Sequence, residues 1–209
     1  MQRIDVEHVS ISRGNIKMGQ IPSVSLPPIT SCNPKACKLC GKKCYARKIS
    51  KLRPSVKQSY ERNLKILLEE PSKFWREIDG NLKLATYFRF GVAGDIWDKE
   101  YLLNMAKCAR DNPHCQILCF TKKYDLVNDY LKRGVLPGNL HIVFSAWKGL
   151  EMKNPNHLPE AHVMYKDGTS TAEEGKRYIY CKSNCVECIS EKRSCWGLQN
   201  GEGVIFAEH

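Results

Sequence analysis

An α/β fold, built as a compact or incomplete TIM-like barrel of parallel βα units, is what this sequence predicts, and three observations predict it. Between residues 55 and 165, apolar runs of strand period alternate with apolar runs of helical period. Such alternation builds parallel βα units with right-handed crossovers. The chain has 209 residues, too few for a complete eight-unit barrel of about 250. Cysteine-rich segments flank the alternating stretch on both sides and do not share its period. The expected organisation is one domain, with a cysteine-rich loop segment over 1–54, a βα core over 55–165 and a second cysteine-rich segment over 166–209.

The entry segment shows no sustained helical period and is rich in turn formers, among them Pro22, Pro27, Pro28, Pro34, Gly14, Gly19 and Gly41. It reads as loop, pinned by metal in place of a hydrophobic core, with one short strand over 9–12 where apolar and polar residues alternate. Beyond Ser55, Val56, Tyr60, Leu64 and Leu67 recur at helical spacing among charged residues, giving an amphipathic helix that ends near Pro71. A shorter helix carries Phe74, Trp75 and Ile78. Residues 82–90, LKLATYFRF, alternate and are rich in aromatics, which predicts a strand ending at Gly91. Trp97, Tyr101, Leu102, Met105 and Ala109 form the next helical face, 116–120 the next strand, and 124–133 a helix stopped by Gly134. A strand follows over 141–146, with shorter ones over 162–164, 178–180 and 204–206.

Lysine and arginine number 33 against 22 aspartates and glutamates, a formal charge of +11. That balance favours a polyanionic partner, DNA or RNA, over the plainer reading of a soluble basic protein. A run of 18 apolar residues is absent, and the first residues lack the pattern of a secretory leader, so a cytoplasmic protein with no membrane partner is expected. The densest basic run, KACKLCGKKCYARKISKLRPSVK over 35–57, surrounds Tyr45 and suits a nucleic-acid-binding loop, though a solvated basic face would look the same.

Eight of the eleven cysteines fall into two groups: Cys32, Cys37, Cys40 and Cys44, then Cys181, Cys185, Cys188 and Cys195. Short gaps allow four thiolates of one loop to converge on one centre. The first spacing, C-x4-C-x2-C-x3-C, lies near the ferredoxin run, while its Cys37–Cys40–Gly41 piece also suits a zinc knuckle. Two four-cysteine centres are expected, [4Fe–4S] favoured over zinc because tetrahedral zinc sites more often draw two separated pairs. Free thiols or disulfides are the alternative, weakened by the clustering. The second group opens C-x3-C-x2-C, the spacing with which radical S-adenosylmethionine enzymes hold a cluster with one open iron. Cys195 would close that iron, and the group lies after the strands instead of near the start of the barrel.

In parallel α/β folds reactive groups gather at the carboxyl ends of strands. There Asp95 is the candidate catalytic acid or nucleophile, with Gly91 and Gly94 leaving room for a substrate near the backbone; an N-cap or first-turn charge is the alternative. Arg89, in an otherwise apolar strand, needs an anionic partner, either substrate or structural acid. Lys122 is a candidate phosphate ligand, Thr121 and Ser145 candidate hydrogen-bond donors, and Trp147 a candidate stacking plane for a base. Each has a plainer reading as solvated lysine, loop hydroxyl or core aromatic. No histidine lies in a ligand pair, and no Gly-rich phosphate loop occurs.

The order SRGNIKMGQIPSVSLPPITSC, CKLCGKKCYARK with its Cys-Tyr-Ala turn, YFRFGVAGDIWDKEYL, ILCFTKKYDL and a terminal cysteine group resembles the phage "gene product 88" family over most of the chain. The resemblance implies kinship with phage enzymes related to tRNA-guanine transglycosylase, with a TIM-barrel fold and exchange of guanine for a deazaguanine in DNA. Asp95 would then be the catalytic acid and the cysteine groups would hold metal for structure or substrate recognition. The chain departs from tRNA-guanine transglycosylases in its length and in its two cysteine groups, where those enzymes have one Cys/His zinc site.

Three functions follow in order. The first is a metalloenzyme modifying a base or nucleotide of a nucleic acid, the second a noncatalytic nucleic-acid-binding metal module, the third a redox or radical iron–sulfur enzyme.

Overall fold

A computed structural model describes residues 7–208. In chain order the elements are β1 (Ile11–Ser12), β2 (Ser23–Val24), α1 (Pro34–Cys40), α2 (Tyr45–Leu52), α3 (Pro54–Glu69), α4 (Pro71–Leu82), β3 (Tyr87–Phe90), α5 (Lys99–Asp111), β4 (Gln116–Thr121), α6 (Tyr124–Leu131), β5 (Leu140–Ser145), β6 (Glu160–Met164), β7 (Tyr178–Tyr180), α7 (Cys185–Ser190) and β8 (Gly203–Ala207). The strands form one sheet in the order β1-β2-β3-β4-β5-β6-β8-β7. Only the β1–β2 pair is antiparallel; every other pair is parallel.

From β2 to β6 each strand is laid beside the previous one, always stepping the same way. Right-handed crossovers that step one way deposit their helices on one face of the sheet, and the packing follows. Phe88, Phe90, Ile117, Cys119, Ile142 and Phe144 share a core with the apolar sides of α3, α4, α5 and α6. The alternate residues Tyr87, Leu118, Phe120, Val143, Ala161 and Val204 point the other way, onto Met18, Ile21, Trp196 and Leu198. In a closed barrel this second face would be the interior. Here it is covered by the 15–21 loop and the terminal cysteine segment.

The expectation of a barrel is corrected to an open, mostly parallel sheet. The strand order is linear, and no pairing joins β1 to β7 among the described residues. Two-residue strands at one edge and a three-residue strand at the other offer too few ladder bonds for closure, and the would-be lumen is filled by chain.

Local differences have local causes. Residues 82–86 are not strand: the Phe74, Ile78, Leu82 spacing continues the α4 face to its last residue, fully buried, while Leu84 is 92% exposed and breaks the alternation. The entry segment holds two helices where loop was expected. Asn33 accepts the Lys35 N–H at 2.9 Å and Pro34 opens α1, a start signal preceding a helix too short to show a period. Cys44 caps α2 through its sulfur. Asn63 of α3 ties the entry to the sheet, accepting Ser10 N–H at 2.6 Å and donating to the Ser10 and Ser25 carbonyls at 3.0 and 2.9 Å. No helix among the described residues is long and apolar enough to cross a membrane.

Candidate functional site

Because the parallel strands point one way, the segments after β2, β3, β4 and β5 meet at a single edge. After β2 comes the first cysteine loop, after β3 Gly91–Asp95, after β4 Lys122, after β5 Trp147. Cross-strand hydrogen bonds lace these together. Asp95 Oδ1 accepts the Thr121 hydroxyl at 2.5 Å and the Ile96 N–H at 2.8 Å, and Oδ2 accepts the Lys122 N–H at 3.0 Å. Lys122 Nζ donates to Ser145 Oγ at 2.8 Å and lies 5.8 Å from the Trp147 ring centre. The cysteine loop joins through Asn33, whose amide donates to the Lys122 carbonyl at 2.8 Å, and through Ser31 Oγ, which accepts the Asp95 N–H at 3.1 Å.

Five of the six candidate strand-end residues are thus neighbours: Asp95, Thr121, Lys122, Ser145 and Trp147. Asp95 is buried, and both its oxygens are engaged by internal donors. Burial raises its carboxyl above the usual range, against the pull of the Thr121, Lys122 and Ile96 hydrogen bonds and the Lys122 charge. Its position is that of a tie between the ends of β3 and β4. Gly94 has φ +79, and a Cβ there would stand 2.4 Å from Ser31 Oγ and 2.7 Å from the Leu26 carbonyl oxygen. The glycine that promised space for a substrate admits the chain's own backbone.

Arg89 does not join this group. It lies on the second face, its guanidinium 4.8 Å from the Phe120 ring centre and 4.0 Å from Met18 Sδ, with Nε buried and without a hydrogen-bond partner. Its charge acts on the terminal cysteines, easing the ionisation of Cys185 and Cys195, both of which burial raises, Cys195 to about 12. Those cysteines are tethered to the sheet and entry loop by the Cys181 N–H to the Ile205 carbonyl at 2.9 Å and the Cys185 N–H to the Lys17 carbonyl at 2.8 Å.

The first cysteine group lies against the strand-end cluster. Burial raises the thiols of Cys32, Cys37 and Cys40, that of Cys32 to about 12, and charges on Asp95, Lys122 and Cys44 act on members of the set. Cys37 Sγ donates to the Ile29 carbonyl at 3.7 Å. Members of each group lie close enough for their charges to act on one another. Among the described residues no three His, Cys, Asp or Glu side chains converge into a formed metal site; the thiols are neighbours that are not drawn onto a common centre.

Cys108, Cys115 and Cys119 are buried free thiols of the helical-side core. Sequence reasoning missed a second polar cluster, Glu160 with His162 at 3.1 Å, Asn154 at 2.8 Å and Lys176 at 3.4 Å. Burial alone would raise Glu160, yet the His162 and Asn154 hydrogen bonds and the Lys176 charge bring it to about 2. The signal was present as two polar residues, Glu160 and His162, on the same side of a strand.

Comparison with known proteins places these features in context. The profile of a family described as Gene product 88 matches residues 7–202. The Gene 88 protein of Mycobacterium phage L5 is similar, 29% identical over 211 residues that span 93% of this chain and 83% of the relative. No solved structure matches.

Proposed function

The chain belongs to the Gene product 88 family, and we propose that it is an iron–sulfur enzyme that modifies a base or nucleotide of a nucleic acid, with its reacting centre at the first cysteine group. The observation that carries this reading is the position of that group. It follows the first strand of the parallel run and lies at the carboxyl edge, beside Lys122, Ser145 and Trp147, where parallel α/β folds assemble reactive groups. The thiols suit a soft metal: four sulfurs within thirteen residues, Cys32 to Cys44, can bind as thiolates once a metal displaces their protons. When bound through all four thiolates, an iron–sulfur centre supplies one-electron chemistry. The charge of +11 supports a nucleic acid as the substrate.

Base exchange through a carboxylate, which the resemblance implied, is the weaker form of this proposal. A nucleophile must reach a reacting atom, and Asp95 is buried with three internal donors on its oxygens. The residues at the edge do the work of holding substrate. Lys122 offers a cation steadied by Ser145, and Trp147 an aromatic plane for a base. Asp95 and Thr121 keep the ends of β3 and β4 together beneath them.

A radical S-adenosylmethionine mechanism is the second reading. The observation favouring it is that the first group stands at the start of the parallel run, the place such a cluster takes; it requires that one of Cys32, Cys37, Cys40 and Cys44 stay off the cluster, leaving one iron open.

The test is iron, zinc and acid-labile sulfide content of protein purified without oxygen, with its visible spectrum. About eight irons and eight sulfides per chain supports two cubane centres. About two zincs and no colour overturns the iron–sulfur reading. If iron is present, reduction with S-adenosylmethionine and detection of 5′-deoxyadenosine separates the radical form from other redox chemistry.

A further inference from the structure

A cleft of about 660 Å³ lies over the carboxyl edge of the sheet, between the first cysteine loop and the segments that follow β5, β6 and β8. Five lysines line it against two carboxylates, Asp167 and Glu208. Both acids are already occupied: Glu208 pairs with Lys43 and accepts the Lys166 N–H at 2.9 Å, and Asp167 accepts the Thr169 hydroxyl at 2.6 Å with Lys148 at 3.4 Å. Among the described residues no carboxylate pairs with the side chains of Lys42, Lys48 or Lys166. Trp147 and Tyr165 stand in the same wall, ring centres 5.9 Å apart and nearly perpendicular, with Tyr165 buried and Trp147 partly open. The cleft at the opposite edge of the sheet, about 700 Å³, contains one cation, Arg13. Positive charge and an accessible aromatic are therefore concentrated at the edge where the first cysteine group lies.

Cations around an aromatic plane in a concavity of this size suit one nucleotide at a time. A duplex keeps its bases stacked and presents none to a plane. We infer that this cleft seats a single-stranded polynucleotide, its phosphates along Lys42, Lys48, Lys148 and Lys166 and one unstacked base against Trp147. The inference rests on the nucleic-acid part of the function proposed above and specifies the form of nucleic acid and where it binds.

The experiment is fluorescence anisotropy of a labelled short oligothymidylate with the full chain over a range of salt. Iron content is measured on every variant. Trp147→Ala is expected to weaken binding about 5- to 150-fold, the loss of one stacked base. Lys42→Gln with Lys48→Gln, both exposed and outside the core, is expected to lower the salt slope by about 1.4. Lys107→Gln with Lys132→Gln, on exposed helix faces elsewhere, is expected to leave binding near wild type. Wild-type binding that neither cleft variant changes would overturn the cleft and leave the nucleic-acid reading standing. Equal or tighter binding of a duplex would overturn the single-strand assignment, and thymidine monophosphate competing as well as the strand would overturn the polymer. A wild-type chain that binds no strand would overturn the nucleic-acid reading as well. Binding by a chain without iron would support the cleft, whose cations are lysines and not the metal.

Discussion

Gly94→Ala tests the account of how the cysteine loop is fastened to the sheet. At Gly94 φ is +79, and a methyl there would come 2.4 Å from Ser31 Oγ and 2.7 Å from the Leu26 carbonyl oxygen. Ser31 can rotate away only by giving up its bonds to the Pro27 carbonyl and the Asp95 N–H, and the Leu26 carbonyl is backbone, with the Leu26 N–H bonded to the Ala93 carbonyl at 3.2 Å, so neither partner moves without breaking a tie. The left-handed backbone costs an alanine about 1–2 kcal/mol and overpacking a further 1–3 kcal/mol or so. Together these give roughly 2–5 kcal/mol, a fall in Tm of roughly 4–20 °C for a chain of this size. Gly80→Ala is the matched control: Gly80 lies in α4 with nothing within 4 Å of its would-be Cβ, and alanine there is expected to stabilise by about 0.5–1 kcal/mol. Urea unfolding followed by circular dichroism reads both. A Gly94→Ala chain unfolding at or above the wild-type midpoint would refute the reasoning, because the close approach of the β2 and β3 exits would then carry no constraint.

Asn63→Ala removes three hydrogen bonds that hold residue 10 and Ser25 to α3, and is expected to cost about 2–3 kcal/mol in the same assay; a change below about 0.5 kcal/mol would show that the entry strand is held otherwise. Glu160 binds its proton less tightly when folded, at about 2 against the ordinary 4.5. Its stabilisation is therefore present above pH 4.5 and lost as pH falls from there towards 2, on the order of 3 kcal/mol in all. Glu160→Gln should flatten that acid limb, and an unchanged limb would count against the Glu160–His162–Lys176 cluster. Burial raises the thiols of Cys108, Cys115 and Cys119, so alkylation mapped by mass spectrometry should find them protected until the chain unfolds; labelling at the rate of the clustered cysteines would contradict their place in the core. Asp95→Asn sets an amide N–H against the Lys122 N–H or the Ile96 N–H, and a measurable loss of stability is expected from the mismatch; unaltered unfolding with abolished activity would return Asp95 to the chemistry.

The reading from sequence succeeded where a local period or spacing carries the physics. Val56, Tyr60, Leu64 and Leu67 could form only one apolar stripe, and α3 is there; the alternation at 116–120 could only split between two faces, and β4 splits it, Ile117 and Cys119 to the helices, Leu118 and Phe120 to the other side. Reading residues 82–86 as strand failed because Leu82 fits a helix stripe and a strand equally, and the choice falls to what Phe74 and Ile78 already pack against. The short helices α1 and α2 escaped because seven or eight residues carry caps but no period.

The candidate site divides along the same line. Cysteine spacing, an excess of basic residues and polar residues at strand ends are properties of the chain, and they single out Lys122, Ser145, Trp147 and both thiol groups as candidates. That Arg89 leaves its neighbours for the second face, that Asp95 is sealed by Thr121 and two backbone N–H groups, and that Gly94 receives the Leu26 carbonyl instead of a ligand follow only from which strands pair and in what register. A residue type sets the chemistry a side chain can do. Burial, and the company brought to it from distant parts of the chain, decides whether any of that chemistry faces outward, because hydrogen-bond satisfaction and desolvation are settled between residues far apart in sequence.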